Sequence, residues 1–173
     1  MKKTLIERIE VGSGGAASIS FTSIPATYTD LLLSFSVRTS QSAVNGKVNI
    51  VFNSDATNQS RRVLYGDGAS AGSGTASNLE IDVNANTSTS NSFSNSMVYI
   101  ANYGSSAAKS ISSDSVQENN ATTAIMVLNA GLWNDTDAIT SISLEGNGNT
   151  LLQYSSASLY GITSGNDGTT TVS

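Results

Sequence analysis

The chain predicts an all-β fold, a jelly-roll-like β-sandwich of about ten short antiparallel strands. Three observations predict it. Apolar residues recur with period two, as in Leu31, Leu33, Phe35, Val37 and again in Leu79, Ile81, Val83, while helical periodicity is absent. Clusters of Gly, Asn, Asp and Ser break these runs at intervals near the roughly 8–12 residues typical of sandwiches and barrels. Finally, only 12% of residues are charged and the net charge is −5, with recurring β-branched and aromatic residues, which separates a folded β domain from a disordered chain. The 173 residues suit a single domain over 1–163 with a Gly/Thr-rich tail at 164–173.

Taken in order, residues 4–11 read as an opening strand, and Gly12-Ser13-Gly14-Gly15 as a flexible turn. Ile19 and Phe21 alternate with Ser18 and Ser20 in a short second strand. Ile24-Pro25 carries the only proline and fixes an extended corner, with Tyr28 packed beneath it and Asp30 capping the turn. Residues 31–38 alternate cleanly, and Val48, Ile50, Phe52 and then Val63, Tyr65 mark further strands. The stretch 66–74 is rich enough in Gly to read as an irregular loop. Leu79, Ile81 and Val83 form a strand whose other face, Glu80 and Asp82, reads as wet and guarded against edge pairing. A polar loop over 84–92 follows.

Met97-Val98-Tyr99-Ile100 and Ile125-Met126-Val127-Leu128 are apolar at successive positions, the pattern of strands covered on both faces. Residues 109–117 are a weaker strand candidate. Asn134-Asp135-Thr136-Asp137 is a turn, Ile139, Ile142 and Leu144 belong to a strand, and Gly146-Asn147-Gly148-Asn149 turns again. Residues 156–162 close the core.

The chain contains no His and no Cys. It therefore has no thiol nucleophile, no disulfide and no imidazole base, so Ser-His-Asp and Cys-His arrangements are excluded. A paired-carboxylate hydrolase stays open in principle, but no pattern marks two acids facing across a cleft. The expectation is a non-enzyme without a cofactor. Nucleic-acid binding is disfavoured by the net charge of −5, since only Lys2-Lys3 and Arg61-Arg62 are adjacent basic pairs. Arg61-Arg62 reads as a solvated strand face. No stretch reaches the roughly 18 apolar residues of a membrane span, and Glu7, Arg8 and Glu10 interrupt what would be a signal-peptide core, so no export signal is expected.

Two kinds of site are candidates. Asp135 and Asp137, at i and i+2 on a loop, could face one hard cation such as calcium; the alternative is an Asx turn bonding its own backbone. Trp133, Tyr65, Tyr103 and Tyr154 fall at strand ends or loop edges and are the available platforms for a glycan; the alternative is a core ring with a solvated tip.

The run Thr-Leu-Ile-Glu-Arg-Ile-Glu-Val at 4–11, followed by Gly-Gly-Ala-Ala-Ser-Ile-Ser-Phe-Thr-Ser-Ile-Pro-Ala-Thr-Tyr-Thr-Asp-Leu at 14–31, resembles a group of small virion-associated structural proteins. These are capsid-decoration or fibre proteins of tailed bacteriophages, especially cyanophage-like aquatic phages. The resemblance continues at 114–123, at Ala130-Gly131-Leu132-Trp133 and at Leu159-Tyr160-Gly161-Ile162. It implies a component of the particle exterior, assembled in the host cytoplasm, with the major capsid protein or other virion proteins as partners. A homo-oligomer, a trimer among the options, is expected from particle symmetry and exposed strand edges. A tail-fibre module that binds host surface glycans is the alternative.

Overall fold

The computed structural model describes residues 2–121 and 124–163. Among them are twelve strands and no helix. In chain order these are β1 (Lys2–Glu10), β2 (Ser18–Phe21), β3 (Asp30–Ser36), β4 (Asn45–Phe52), β5 (Gln59–Gly66) and β6 (Ala71–Ala76), then β7 (Glu80–Asn84), β8 (Asn95–Ile100), β9 (Lys109–Glu118), β10 (Ala124–Trp133), β11 (Ile142–Glu145) and β12 (Ser156–Thr163). They build two antiparallel sheets, one of eight strands ordered β1-β12-β3-β8-β9-β10-β5-β6 and one of four ordered β2-β11-β4-β7. The expected tail at 164–173 lies outside the described residues.

The period-two code explains the core. Leu31, Leu33 and Phe35 on β3, Val98 and Ile100 on β8, and Leu159 on β12 point inward from the large sheet. Ile19, Phe21, Val48, Ile50, Phe52, Ile142 and Leu144 answer them from the small one. Each such side chain, fully removed from water, contributes about 1.5–3 kcal/mol. Phe52 and Trp133 meet across the layers as tilted rings, centroids 5.4 Å apart.

The Pro25 corner is pinned by Tyr103, whose hydroxyl donates to the Pro25 carbonyl and accepts from the Tyr28 amide at 3.4 Å. Tyr28 packs against the core as expected. Asp30 does not cap its own turn: it accepts from the Tyr99 hydroxyl at 2.5 Å and the Asn102 amide at 2.8 Å, tying β3 to the end of β8.

Three further expectations are corrected. The Gly-rich stretch is regular, because β6 runs through it as the second arm of a hairpin with β5. Its turn is made by Gly68 at φ 86° and by Asp67, whose Oδ1 accepts from the amides of Ala69 and Ser70 at 2.9 and 2.7 Å. Those amides of Ser70 and Ala69 hold the Asp67 carboxyl below its ordinary value. Secondly, β8 and β10 are central strands but are buried on one face only, with Met97, Met126 and Leu128 exposed on the other. Thirdly, Arg61 is buried, whereas its neighbour Arg62 is exposed.

Candidate functional site

The mismatch of eight strands against four leaves the β9-β10-β5-β6 end of the large sheet incompletely roofed. β7 is the small-sheet strand that packs against β9 there. Inward positions at this end are accordingly polar: β9 turns Lys109, Ser113, Ser115 and Gln117 toward the interior, with Ile111 among them. A groove of about 320 Å³ opens between β5 and β7.

Its walls follow from strand alternation. On β5, Arg61, Val63 and Tyr65 share the groove face, and burial fades along them from a buried guanidinium to a ring that is 49% exposed. Lys47 of β4 and Asp82 of β7 stand opposite, and Gln117 forms part of the lining from β9. The Tyr65 ring lies across Gly72 of β6; a methyl group built on Gly72 would meet the ring at 2.4 Å. Only glycine lets the ring lie this close.

Both cations of the groove are paired, and Asp67 is a further acid of its lining. Arg61 contacts Glu80 at 3.1 Å and Asp82 at 3.5 Å, and Lys47 contacts Glu80 at 2.9 Å. Arg61 also donates to the Glu80 carbonyl at 2.6 Å, which caps the β7 edge. Glu80 and Asp82 therefore do more than wet a surface; they neutralise a buried cation. Burial opposes ionisation of Glu80, but hydrogen bonds from Lys47 and Asn78 and the charges of Lys47 and Arg61 outweigh it and hold its carboxyl low. At Asp82 burial wins and pushes the carboxyl up against the pull of Arg61 and Lys47. Two polar atoms of the lining residues, Arg61 Nε and Gln117 Oε1, have no hydrogen-bond partner.

The Asp135–Asp137 loop is an Asx turn. Asp135 Oδ1 accepts from the Asp137 amide at 2.8 Å. The backbone carbonyls of Asp137 and Asp135 instead receive the Lys109 ammonium, at 2.5 and 3.4 Å, together with the Ser105 carbonyl at 2.8 Å. Burial pulls the Lys109 ammonium below its ordinary value, opposed by the charges of Asp135 and Asp137. Its Nζ also sits 5.3 Å from the Trp133 ring centre. The cation organising this loop is thus a lysine of the chain itself. Among the described residues no three acidic side chains converge as metal ligands.

Of the four aromatic candidates, Trp133 and Tyr103 are core residues, each 1% exposed, and neither can serve as a surface platform. Trp133 ends β10 and Tyr103 lies in the turn after β8, and both rings belong to the core cluster. Tyr65 and Tyr154 are the two that remain at the surface. Tyr154 is 65% exposed at φ 70°, beside a separate groove of about 390 Å³ that Arg38 also lines. The residues missed from sequence are Arg61, Gln117 and Lys109. Their signal was present: polar side chains at inward-phase positions of a strand, which simple alternation treats as noise.

A second surface is apolar. On the outer face of the large sheet, Leu64 stands opposite Leu128 and Met126 opposite Val116, while Asp114 lies between Leu128 and Met97. All five apolar side chains are exposed, Leu64 to 61%. A shallow depression runs along Leu64 and Leu128.

No protein-family model, curated protein or solved structure matches the chain.

Proposed function

We propose that the domain is a structural component of a tailed-phage particle, displayed on its exterior and acting by protein–protein contacts rather than catalysis. The observation that carries this reading is the outer apolar face. Leu64, Leu128, Met126, Val116 and Met97 form a band across four adjacent strands, and contiguous exposed apolar surface of this kind marks interaction sites in folded proteins. Asp114 within the band and the exposed Arg62 beside Leu64 give this face one charge of each sign, which suits a partner surface that is apolar and carries the opposite pair. A neighbouring subunit of the shell, or another copy in a symmetric oligomer, supplies such a surface. The resemblance of residues 4–11, 14–31 and 114–123 to virion proteins supports the same reading, as does a sequence without His or Cys.

Gold-labelled antibody against the domain, applied to purified particles of the phage that encodes it, tests the proposal. Capsid decoration paints the whole head, and a fibre role labels the tail or isolated projections. Unlabelled particles sink it. Leu64→Asp with Leu128→Asp should abolish incorporation while the isolated domain melts normally.

A further inference from the structure

We propose that the outer face of β8-β9-β10-β5-β6 binds a second copy of this chain about a two-fold axis, with Asp114 of each copy meeting Arg62 of the other. The inference rests on the reading of that face as a contact surface and names its partner.

Strand β10 sets the chemistry. Its outward positions, Ala124, Met126, Leu128, Ala130 and Leu132, are all apolar and all exposed. Its alternate positions Val127, Asn129 and Trp133 are buried, so the strand already packs through its other face. Val116 of β9 and Leu64 of β5 widen the strip. A continuous apolar row on an exposed face marks a surface that another molecule covers.

The extent is sufficient. β8 and β6 have six residues each, β5 has eight, and β9 and β10 have ten. At about 4.8 by 3.4 Å of sheet per residue, these strands present roughly 650 Å² of projected face. Two such faces hide about 1,300 Å² together, within the range of about 1,200–2,000 Å² for specific interfaces.

Charge selects the copy. The charged residues on the outward phase of these five strands are Asp114, Arg62 and, at the end of β9, Glu118. Glu118 is already engaged by the 84–92 loop. Asp114 and Arg62 are exposed, and among the described residues neither forms an ion pair. Arg62 gives one donor to the Arg61 carbonyl at 3.0 Å. A two-fold contact sets residue i against j and j against i, so a face with one unpaired charge of each sign finds both opposites on a copy of itself.

The register places the axis. Asp114 stands opposite Leu128, Leu128 opposite Leu64, and Arg62 opposite Ala130. The line from Asp114 to Arg62, about 12 Å by strand and residue spacings, therefore crosses β10 between Leu128 and Ala130. A two-fold axis through that point, lying between the facing sheets, exchanges the two charges. It also lays Leu64 and Leu128 of each copy against those of the other. Arg62, Leu64, Leu128 and Ala130 line the shallow depression at this point, which receives the partner's side chains. An unrelated partner would have to supply the same two charges at the same spacing; a second copy carries them already.

Sedimentation equilibrium of the full chain tests this. It should reveal a species of twice the 17.8 kDa chain mass, with a dissociation constant of about 1–100 µM. Asp114→Arg and Arg62→Asp each create two like-charge contacts per dimer, and each should weaken it at least about tenfold. Mixing the two variants should restore association, as should both changes in one chain. Both sites are exposed, so thermal melts of the variants should match wild type. A wild type that stays monomeric or forms trimers overturns the proposal. So does a dimer indifferent to both charge reversals, or one weakened by them without rescue on mixing. A monomeric wild type whose Leu64→Asp with Leu128→Asp variant still fails to join particles leaves the contact face standing, with a shell protein as its occupant. Dimers in solution beside unlabelled particles would instead sink the virion reading alone.

Discussion

The Arg38 guanidinium donates to the Thr89 carbonyl at 2.6 Å, from a side chain that reaches the 84–92 loop from just beyond β3. The same guanidinium donates to the carbonyls of Asn86, Ser88 and Ser92, each at 3.0 Å, and among the described residues no carboxylate forms an ion pair with it. A polar loop that could not bury its own backbone is thereby folded around one buried cation. Arg38→Met should destabilise the protein by about 3 kcal/mol or more, because it strands buried acceptors. Arg38→Lys should recover only part of the loss, since a point charge cannot reproduce the planar fork. Urea unfolding measures both, and limited proteolysis should find new cleavage within 84–92.

Glu118 secures the same loop from the other side. Its carboxylate accepts from the Thr89 amide at 2.6 Å and hydroxyl at 2.8 Å, the Ser92 hydroxyl at 3.0 Å and the Asn120 amide at 2.6 Å. Desolvation opposes its ionisation, but these bonds prevail and hold its carboxyl below the ordinary 4.5. A folded-state value below the unfolded one means the stabilisation is complete above pH 4.5 and is lost as pH falls through the lower folded value. The gap in stability between wild type and Glu118→Gln should therefore be widest above pH 5 or so and close under more acidic conditions. A gap that stays constant with pH contradicts this role.

Lys109→Met should cost about 1.5–3 kcal/mol, as three backbone carbonyls lose a charged donor. Calcium and chelator should both leave the wild-type melting temperature unchanged, because the Asp135 carboxylate and the loop carbonyls already have partners. A calcium-dependent rise would overturn the assignment of Lys109 as the loop's cation.

A methyl group on Gly161 of β12 would meet the Tyr28 ring at 2.2 Å. Gly161→Ala should thus destabilise by about 1–3 kcal/mol through overpacking. The penalty should largely vanish in a Tyr28→Ala background, and thermal melts of the four proteins in this cycle check the coupling.

Leu64→Ser with Leu128→Ser should change unfolding free energy by no more than about 0.5 kcal/mol per site, since both side chains are exposed in the isolated chain. If that face associates with a neighbour, sedimentation velocity should show a smaller weight-average size for the double variant.

Much of the fold was legible because the code of a half-buried strand is local. Val48, Ile50, Phe52 and Leu31, Leu33, Phe35 announce both strand and inward face from spacing alone. What escaped depends on partners distant in sequence. Ala71–Ala76 has too little side chain to advertise a strand, and its regularity comes from pairing with β5 and from Tyr65 lying over Gly72. Met97 and Met126 sit in apolar runs that look buried from either direction, and sequence does not reveal that the small sheet covers only one face. Of the candidate site, Tyr65 was visible. Gln117 and Arg61 were hidden because polar residues at inward positions acquire meaning only once the unequal sheets leave them a groove.

Lys2 pairs with Thr163, so β1 and β12 bring both ends of this strand pair to the same margin of the large sheet. β6 is the opposite margin, seven strand spacings or roughly 34 Å away. Cargo, scaffold or neighbouring subunit joined through either end would consequently be held far from Tyr65. The molecule is polarised, with an anchorable side and a presenting side, and a fusion at Lys2 or beyond Thr163 should leave the groove open to whatever approaches from solution.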